Sequence, residues 1–294
     1  MDFHSPSLSD REWVQKAFSS SRTDCCEYCF GNIYMWSDIY NNKISNIDGI
    51  FVSADFSDNP VFCYPIGNGD KKAVIKALIE YAKALGTVLS FYGLTEADKI
   101  ELDSLFPKQF EYTETRDFFD YLYRTEDLAE LAGRKYHSKR NHISYFENTF
   151  DWKYEPINES NIKECLLLNE HWEKLNRQKN PEEINEEHRA INKALADYFE
   201  LGLEGGVLTV QNEIVAFTFG EKLNDNTFCT HVEKAYGDIR GAYQMINREL
   251  ARQLSDKYEY INREDDTGSE VLRNAKLSYH PHRLIIKYSA VYKG

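Results

Sequence analysis

The stretch GGVLTVQNEIVAFTFGEKLNDNTFCTHVEKAYGDIRGAYQMINRELARQL, residues 205–254, decides how the chain is read. Two β-rich runs meet at Asn212-Glu213, which supplies the turn of a hairpin. NTFCTHVEKA (226–235) follows as a third strand, and GDIRG (237–241) as a glycine-containing loop. Met245, Ile246, Leu250 and Leu254 then recur at the spacing of one helical face. YEYINRED (258–265) is the next strand. Strand, helix and strand in succession are α/β grammar.

The same grammar extends in both directions. Downstream, Thr267-x-x-Glu270 is a capping box for a short helix that stops before Pro281, and RLIIKYSAVY (283–292) reads as a last strand. Upstream, DWKYEPIN (151–158) is a strand, Ser160 caps a helix running to Trp172, and residues 181–201 carry Ile184, Ile191, Leu195 and Tyr198 on one face. The first half repeats the plan. Ser9, Glu12 and the Leu8/Trp13 pair open a helix, and an aromatic helix follows in YCFGNIYMWSDIYNN (28–42). KISNIDGIFVSADF (43–56) is a hairpin turning at Asp48-Gly49, and PVFCYPIG (60–67) is a strand. Residues 70–85 are an amphipathic helix, TVLSFYGL (87–94) is a buried strand, and Thr95 with Asp98 opens another helix. A period of half the chain points to two copies of one α/β (α+β) domain, each a mixed, largely antiparallel sheet flanked by helices. The division is drawn as 1–115 and 116–294, with no Gly/Ser/Pro-rich linker between the halves.

Composition narrows the class. Hydrophobic content of 42% with 20 Tyr and 17 Phe suits a packed core and argues against disorder. The apolar runs are too short for a membrane span, and the first residues lack the layout of a signal peptide, so a cytoplasmic protein is expected. Cys25, Cys26, Cys29, Cys63, Cys165 and Cys229 are then reduced thiols. CCEYC lacks the second pair of ligands that a structural zinc needs, so no metal is expected. A net charge of −13 opposes binding to bulk DNA or an anionic membrane. Against that background GRKYHSKRNHISYF (133–146) stands out, since no acid lies between Glu130 and Glu147. Lys135, His137, Lys139 and Arg140 form a basic patch suited to a phosphate-bearing ligand. The competing reading pairs it with acids such as those of TETRDFFD (113–120) or EDLAE (126–130).

The element order resembles the GNAT acyltransferase fold. GRKYHSKRNHISYF, HVEKAYGDIRGAYQMINREL (231–250), YINREDDTGSEVLRNAKLSYHPHRLIIKY (260–288) and YMWSDIYN (34–41) narrow the resemblance. Together they are similar to the uncharacterised family related to the C-terminal domain of lysylphosphatidylglycerol synthases, a tandem GNAT-like arrangement akin to the Fem-type peptidyltransferases. Those synthases move an aminoacyl group from tRNA to a lipid headgroup, and most carry a membrane region. The resemblance implies an aminoacyl- or acyltransferase acting on an amine or hydroxyl acceptor, with aminoacyl-tRNA as one candidate donor and the second half holding the cleft.

In a GNAT-like sheet the donor carbonyl meets main-chain N–H groups where the fourth and fifth strands diverge, here NTFCTHVEKA and YEYINRED. Glu233 is the first candidate for a base or for a carboxylate that grips an ammonium, and alternation places His231 on its face. Tyr279 is the candidate general acid. Asp265 and Asp266 are candidates for recognising a cationic aminoacyl group, against the alternative of turn chemistry and helix-dipole compensation. GDIRGAYQ offers Arg240 for a donor phosphate, but its spacing departs from the coenzyme A loop Arg/Gln-x-x-Gly-x-Gly/Ala. Asp238 stands where Arg or Gln would, and a carboxylate opposes a pyrophosphate. Coenzyme A therefore stays open as a poorly matched cofactor. Two alternatives stay open with it: a coenzyme A-dependent N-acetyltransferase, and a non-catalytic GNAT-like binding protein. Oligomeric state is not legible.

Overall fold

The computed structural model describes residues 1–19, 23–178 and 180–294. In chain order the first stretch contains α1 (Arg11–Phe18), α2 (Phe30–Trp36), β1 (Asn42–Ile47), β2 (Ile50–Asp55), β3 (Val61–Cys63), β4 (Ile66–Gly67), α3 (Lys71–Ala84), β5 (Ser90–Leu94), α4 (Glu96–Leu105) and β6 (Phe110–Glu114). Next come β7 (Asp120–Arg124), α5 (Thr125–Glu130), α6 (His137–Thr149), β8 (Trp152–Pro156), α7 (Ile162–Asn176), α8 (Pro181–Ala196), β9 (Glu204–Val210), β10 (Glu213–Lys222) and β11 (Thr227–Ala235). The chain ends with α9 (Ala242–Leu254), β12 (Tyr260–Asn262), α10 (Glu270–Leu277), β13 (Arg283–Ile285) and β14 (Tyr288–Tyr292).

Local chemistry accounts for most boundaries. Thr95 and Asp98 form a reciprocal capping box at α4, as the sequence predicts. Asp48 and Gly49 both take positive φ, 52° and 82°, which makes the β1–β2 turn of the type that matches strand twist. The β9–β10 turn uses Gln211 and Asn212 (φ 53° and 68°), one residue earlier than the Asn212-Glu213 expected. The first capping box is also displaced. Ser7 and Asp10 form it around a 3-10 turn, with Ser7 Oγ donating to Asp10 Oδ2 at 2.7 Å, and Ser9–Glu12 does not. RLIIKYSAVY is two strands rather than one, broken at Ile286-Lys287.

Contacts divide the chain into two compact units that are not contiguous in sequence. The first holds Met1–Asp120, Glu264–Arg273 and Leu284–Gly294; the second holds Tyr121–Arg263 and Asn274–Arg283. The sequence division at 115/116 contains no such returns.

In the first unit the sheet runs β1-β2-β3-β5-β14-β6, with β4 on β2. The last strand thus lies between β5 and β6, antiparallel to both, with Ala290 opposite Tyr112 and Phe91. Ala290 is fully buried in a core with Ile50, Val52, Phe62, Leu78, Phe91 and Leu102. The residue before that strand is anchored by charge. Lys287 is fully buried, and its Nζ donates to Asp120 Oδ1 (2.6 Å) and Glu27 Oε1 (2.7 Å), with Cys26 Sγ at 3.5 Å. Burial raises the Glu27 carboxyl to about 7, against the opposing pull of the Lys287 ammonium.

In the second unit the strands run β7-β12-β11-β10-β9-β8, with β10 antiparallel to β9 and β11, and β12 parallel to β11. α9 covers β9, β10 and β11 with Met245, Ile246, Leu250 and Leu254, none more than 1% exposed. Truncating one of them to Ala should cost about 2–5 kcal/mol. At the start of α9, Gly241 has φ +96°, and a Cβ there would lie 2.6 Å from His142 O and 2.9 Å from Phe146 Cβ. Glycine is therefore required by the close approach of α6.

Candidate functional site

β11 and β12 pair over three residues only, from Thr227–Tyr260 to Cys229–Asn262. Beyond that point β11 continues beside β10 to Ala235, while Arg263 N bonds to Tyr121 O (3.0 Å) and follows β7. The two strands part, and a wedge opens at their C-terminal ends, as the sequence reading expects of this pair.

Arg263 reaches across the wedge. Its Nη2 donates to Glu233 Oε1 and Oε2 at 3.1 and 3.2 Å, and Asn247 Nδ2 from α9 donates to Oε2 at 3.0 Å. The guanidinium lies 5.6 Å from the Tyr123 ring centroid and 5.0 Å from that of Tyr279. Lys139 Nζ sits 4.0 Å from the same Tyr279 centroid and donates to Ser278 Oγ at 2.7 Å. One aromatic ring thus carries two cations. Burial and then the Arg263 charge hold the Lys139 amine below its ordinary value, with Glu233 opposing. Burial likewise pushes the Tyr279 hydroxyl up. Two polar atoms at the site are buried without a partner, Arg263 Nη1 and Asn247 Oδ1. A donor and an acceptor left open beside one carboxylate would each be costly unless something binds them.

The expected residues divide into groups. Glu233, Tyr279 and Lys139 come together in the second unit through Arg263. His231 does not join Glu233. Val232 faces Phe219 and Thr230 faces Gly220, so His231 is the extra residue of a β-bulge, and the alternation that puts both side chains on one face is broken there. Its ring meets Glu221 Oε1 at 3.0 Å with only 1% of the side chain exposed.

Asp265 and Asp266 belong to the first unit. Asp266 is fully buried and takes Arg273 Nε (3.0 Å), Arg273 Nη2 (2.7 Å), Arg116 Nη1 (3.3 Å) and Gly268 N (3.0 Å). Asp265 accepts from Thr267 N (3.0 Å). The bonds from Thr267 N and Gly268 N are turn chemistry, the alternative weighed for this pair, and the bonds from Arg273 and Arg116 are ion pairs.

The basic window is helical from His137, and its side chains part company. Arg140 Nη1 donates to Leu131 O and to Gly133 O (2.6 Å), satisfying carbonyls just past α5. Lys135 pairs with Asp127 at 3.7 Å, an acid of EDLAE, and exposed His137 meets Asn141 Nδ2 at 3.2 Å. Arg240 lies 4.5 Å from the exposed ring of Tyr145 on α6.

Arg263, Asn247 and Ser278 are the members of the site that the sequence reading leaves out. Arg263 stands directly after a strand, a position that pattern alone could have raised. The Lys287–Asp120–Glu27–Cys26 cluster has no sequence signal, because Lys287, Asp120 and the Cys26-Glu27 pair are far apart in the chain. Cys25, Glu27 and Asp120 lie close enough to hold a metal ion, but the Lys287 ammonium already supplies the positive charge at those carboxylates.

Helix-flanked mixed sheets with parted strands make this a tandem GNAT-like fold. The chain belongs to the family described as phosphatidylglycerol lysyltransferase, C-terminal, whose profile matches residues 19–291. A conserved protein of unknown function from Bacteroides thetaiotaomicron has a crystal structure that is 40% identical over the whole of both chains, with a TM-score of 0.93. L-PGS from Bacillus licheniformis shares the fold at 16% identity, covering 99% of this chain and 93% of that one, with a TM-score of 0.70. An uncharacterized protein of Mycoplasmoides gallisepticum is 26% identical over 174 residues, 58% of this chain, and the match spans about half (54%) of that relative's length. No helix among the described residues is long and apolar enough to cross a membrane.

Proposed function

We propose that the chain is an aminoacyltransferase that takes the aminoacyl group of an aminoacyl-tRNA and passes it to an amine or hydroxyl acceptor in the wedge between β11 and β12. The observation that carries this reading is the pair of unpartnered buried atoms beside Glu233, Arg263 Nη1 and Asn247 Oδ1. An aminoacyl ester complements them: its carbonyl oxygen accepts from Arg263, and its ammonium donates to Asn247 Oδ1 and faces the Glu233 carboxylate. As negative charge develops on that carbonyl oxygen, a guanidinium N–H already in place stabilises it without reorganisation. Glu233, held on both oxygens, acts as an anchor for Arg263 and for the ammonium rather than as the proton acceptor.

The phosphates of the donor's acceptor end would lie along α6 and the loop before α9, on Arg240, Lys135 and His137. Arg140 is committed to main-chain carbonyls and has the smaller share. Two features favour tRNA over coenzyme A: Asp238 in the loop, and a Gly241 that α6 requires for packing.

The test compares thermal stabilisation by aminoacylated tRNA, deacylated tRNA, coenzyme A and acetyl-coenzyme A. Stabilisation by the aminoacylated form above the deacylated one, abolished in Arg263→Met, is the expected result. Saturable stabilisation by coenzyme A alone would move the protein to the N-acetyltransferases.

A further inference from the structure

One cavity of the second unit lies away from the wedge. It encloses about 550 Å³ between the end of β7, α5 and the end of α9. β7 is antiparallel to β12, with Arg124 opposite Tyr260, so the cavity stands at the end of β12 remote from Arg263. Ser255, which lines it, follows Asn247 by eight residues and thus lies about 12 Å further along the axis of α9. Thr125 is the informative member. It is 2% exposed, it lines the cavity, and its Oγ1 has no hydrogen-bond partner. Its place is fixed, since Thr125 N donates to Glu259 O at 2.9 Å. A buried hydroxyl has given up its water, so an open one is costly unless a ligand takes it up.

The charged groups of the lining are of two kinds. Arg252 donates through Nε to Ala129 O (3.3 Å) and through Nη1 to Glu249 Oε1 (3.0 Å), and its Nη2 has no hydrogen bond among the described residues. Arg124 Nη1 stands 3.8 Å from Glu259 Oε1, beyond hydrogen-bond length. Each guanidinium therefore keeps N–H groups for a ligand, although a carboxylate already matches its charge. On α5, Glu126 and Glu130 are exposed, share one helical face and form no ion pair among the described residues. A simple anion would meet these two uncompensated carboxylates. A simple cation would leave the guanidinium N–H groups unused. A ligand that carries both charges satisfies both walls.

We propose that this cavity binds a free α-amino acid. Its carboxylate accepts from Arg124, Arg252 and the Thr125 hydroxyl, and its ammonium faces Glu126 and Glu130. An apolar side chain packs against Ala129 and the Tyr258 ring, the apolar part of the lining. The site is separate from the wedge and does not rest on the aminoacyl-transfer reading.

Calorimetric titration of the full chain with L-leucine tests the proposal, beside isocaproate and isoamylamine, which are leucine without its ammonium and without its carboxylate. One saturable site for leucine is expected, with either fragment bound at least about tenfold more weakly. Thr125→Val removes the hydroxyl and keeps the shape. It should weaken leucine about tenfold while the protein melts no lower than wild type, because an open buried hydroxyl contributes nothing to the fold. Arg252→Met should weaken leucine by a similar factor, about tenfold. Glu233→Gln combined with Arg263→Met, which alters the wedge alone, should bind leucine as the wild type does. Isocaproate bound as tightly as leucine would make this an anion site, and isoamylamine bound as tightly a cation site; either result overturns the amino-acid assignment, as does the absence of saturable leucine binding. Leucine affinity unchanged in both Thr125→Val and Arg252→Met, or lost in the wedge variant, places the binding elsewhere and overturns the cavity.

Discussion

Arg263 Nη2 lies 3.1 and 3.2 Å from the two carboxylate oxygens of Glu233, on β11, the strand with which the chain pairs through Asn262 and from which it parts at Arg263. The side chains are 12% and 15% exposed, so the pair is mostly dry. Removing one partner leaves a buried charge uncompensated, which typically costs about 3–5 kcal/mol. Glu233→Gln and Arg263→Met should each destabilise in denaturant titrations by roughly that amount. The double variant should recover much of the stability and none of the activity. Equal, additive losses would show that the two groups do not couple. In Arg263→Lys, which keeps the charge without the fork, kcat/KM for transfer should fall about 100-fold.

Lys139 is held below its ordinary value, so the folded state binds its proton less tightly than the unfolded chain does. Stability therefore rises with pH between the lowered value and the ordinary 10.5, and the penalty is complete below that window. Lys139→Met should melt higher than wild type at pH 7, by a margin that shrinks as pH approaches 10.5. Melting curves across that range decide the matter, and a margin that grows with pH would contradict it.

Lys287 holds fully buried Asp120 and mostly buried Glu27 next to the strand that completes the first sheet. Lys287→Met strands the Asp120 carboxylate and should cost about 3–5 kcal/mol in chemical denaturation. Lys287→Met with Asp120→Asn should restore most of it, since two apolar or neutral groups need no compensation. A double variant as unstable as the single one would refute the charge argument.

Glu27 sits at about 7 against an ordinary 4.5, so the folded state binds its proton more tightly. Stability contributed this way is present below 4.5 and is lost as pH rises toward 7. Glu27→Gln should remove this slope, which melting temperatures between pH 4.5 and 8 would reveal as a flatter profile above the wild-type curve at pH 8.

Arg140 and Arg240 should separate in their effects. Arg140→Ala frees two carbonyls past α5 and should destabilise by about 2 kcal/mol without altering how donor affinity depends on salt. Arg240→Ala should leave stability nearly unchanged and lower the salt slope by about 1. Equilibrium binding of aminoacyl-tRNA between low and high salt tests both.

Much of the fold was legible because it is written locally. Hydrophobic spacing placed α3 and α9, Asp48-Gly49 placed a turn, and Thr95 with Asp98 placed a cap, each within reach of neighbours in the chain. Where local signals competed, the reading slipped by one or two residues, as at Ser7–Asp10 and Gln211-Asn212. The candidate site was legible in part. Glu233 and Tyr279 were found as chemical types at suggestive positions, but a β-bulge at His231 defeats any count by twos, and no periodicity reveals it.

By itself, then, the sequence determined the kinds of element, their order and the family to which the chain belongs, because helices, turns and caps are short-range physics. Tertiary structure decided the rest: that the last strand joins the first sheet, that Lys287 lies against Asp120 and Glu27, and that Arg263, Lys139 and Ser278 meet around Tyr279. Those relations depend on which residues distant in sequence are buried together, where desolvation makes charge pairing strong and unpaired polar atoms costly.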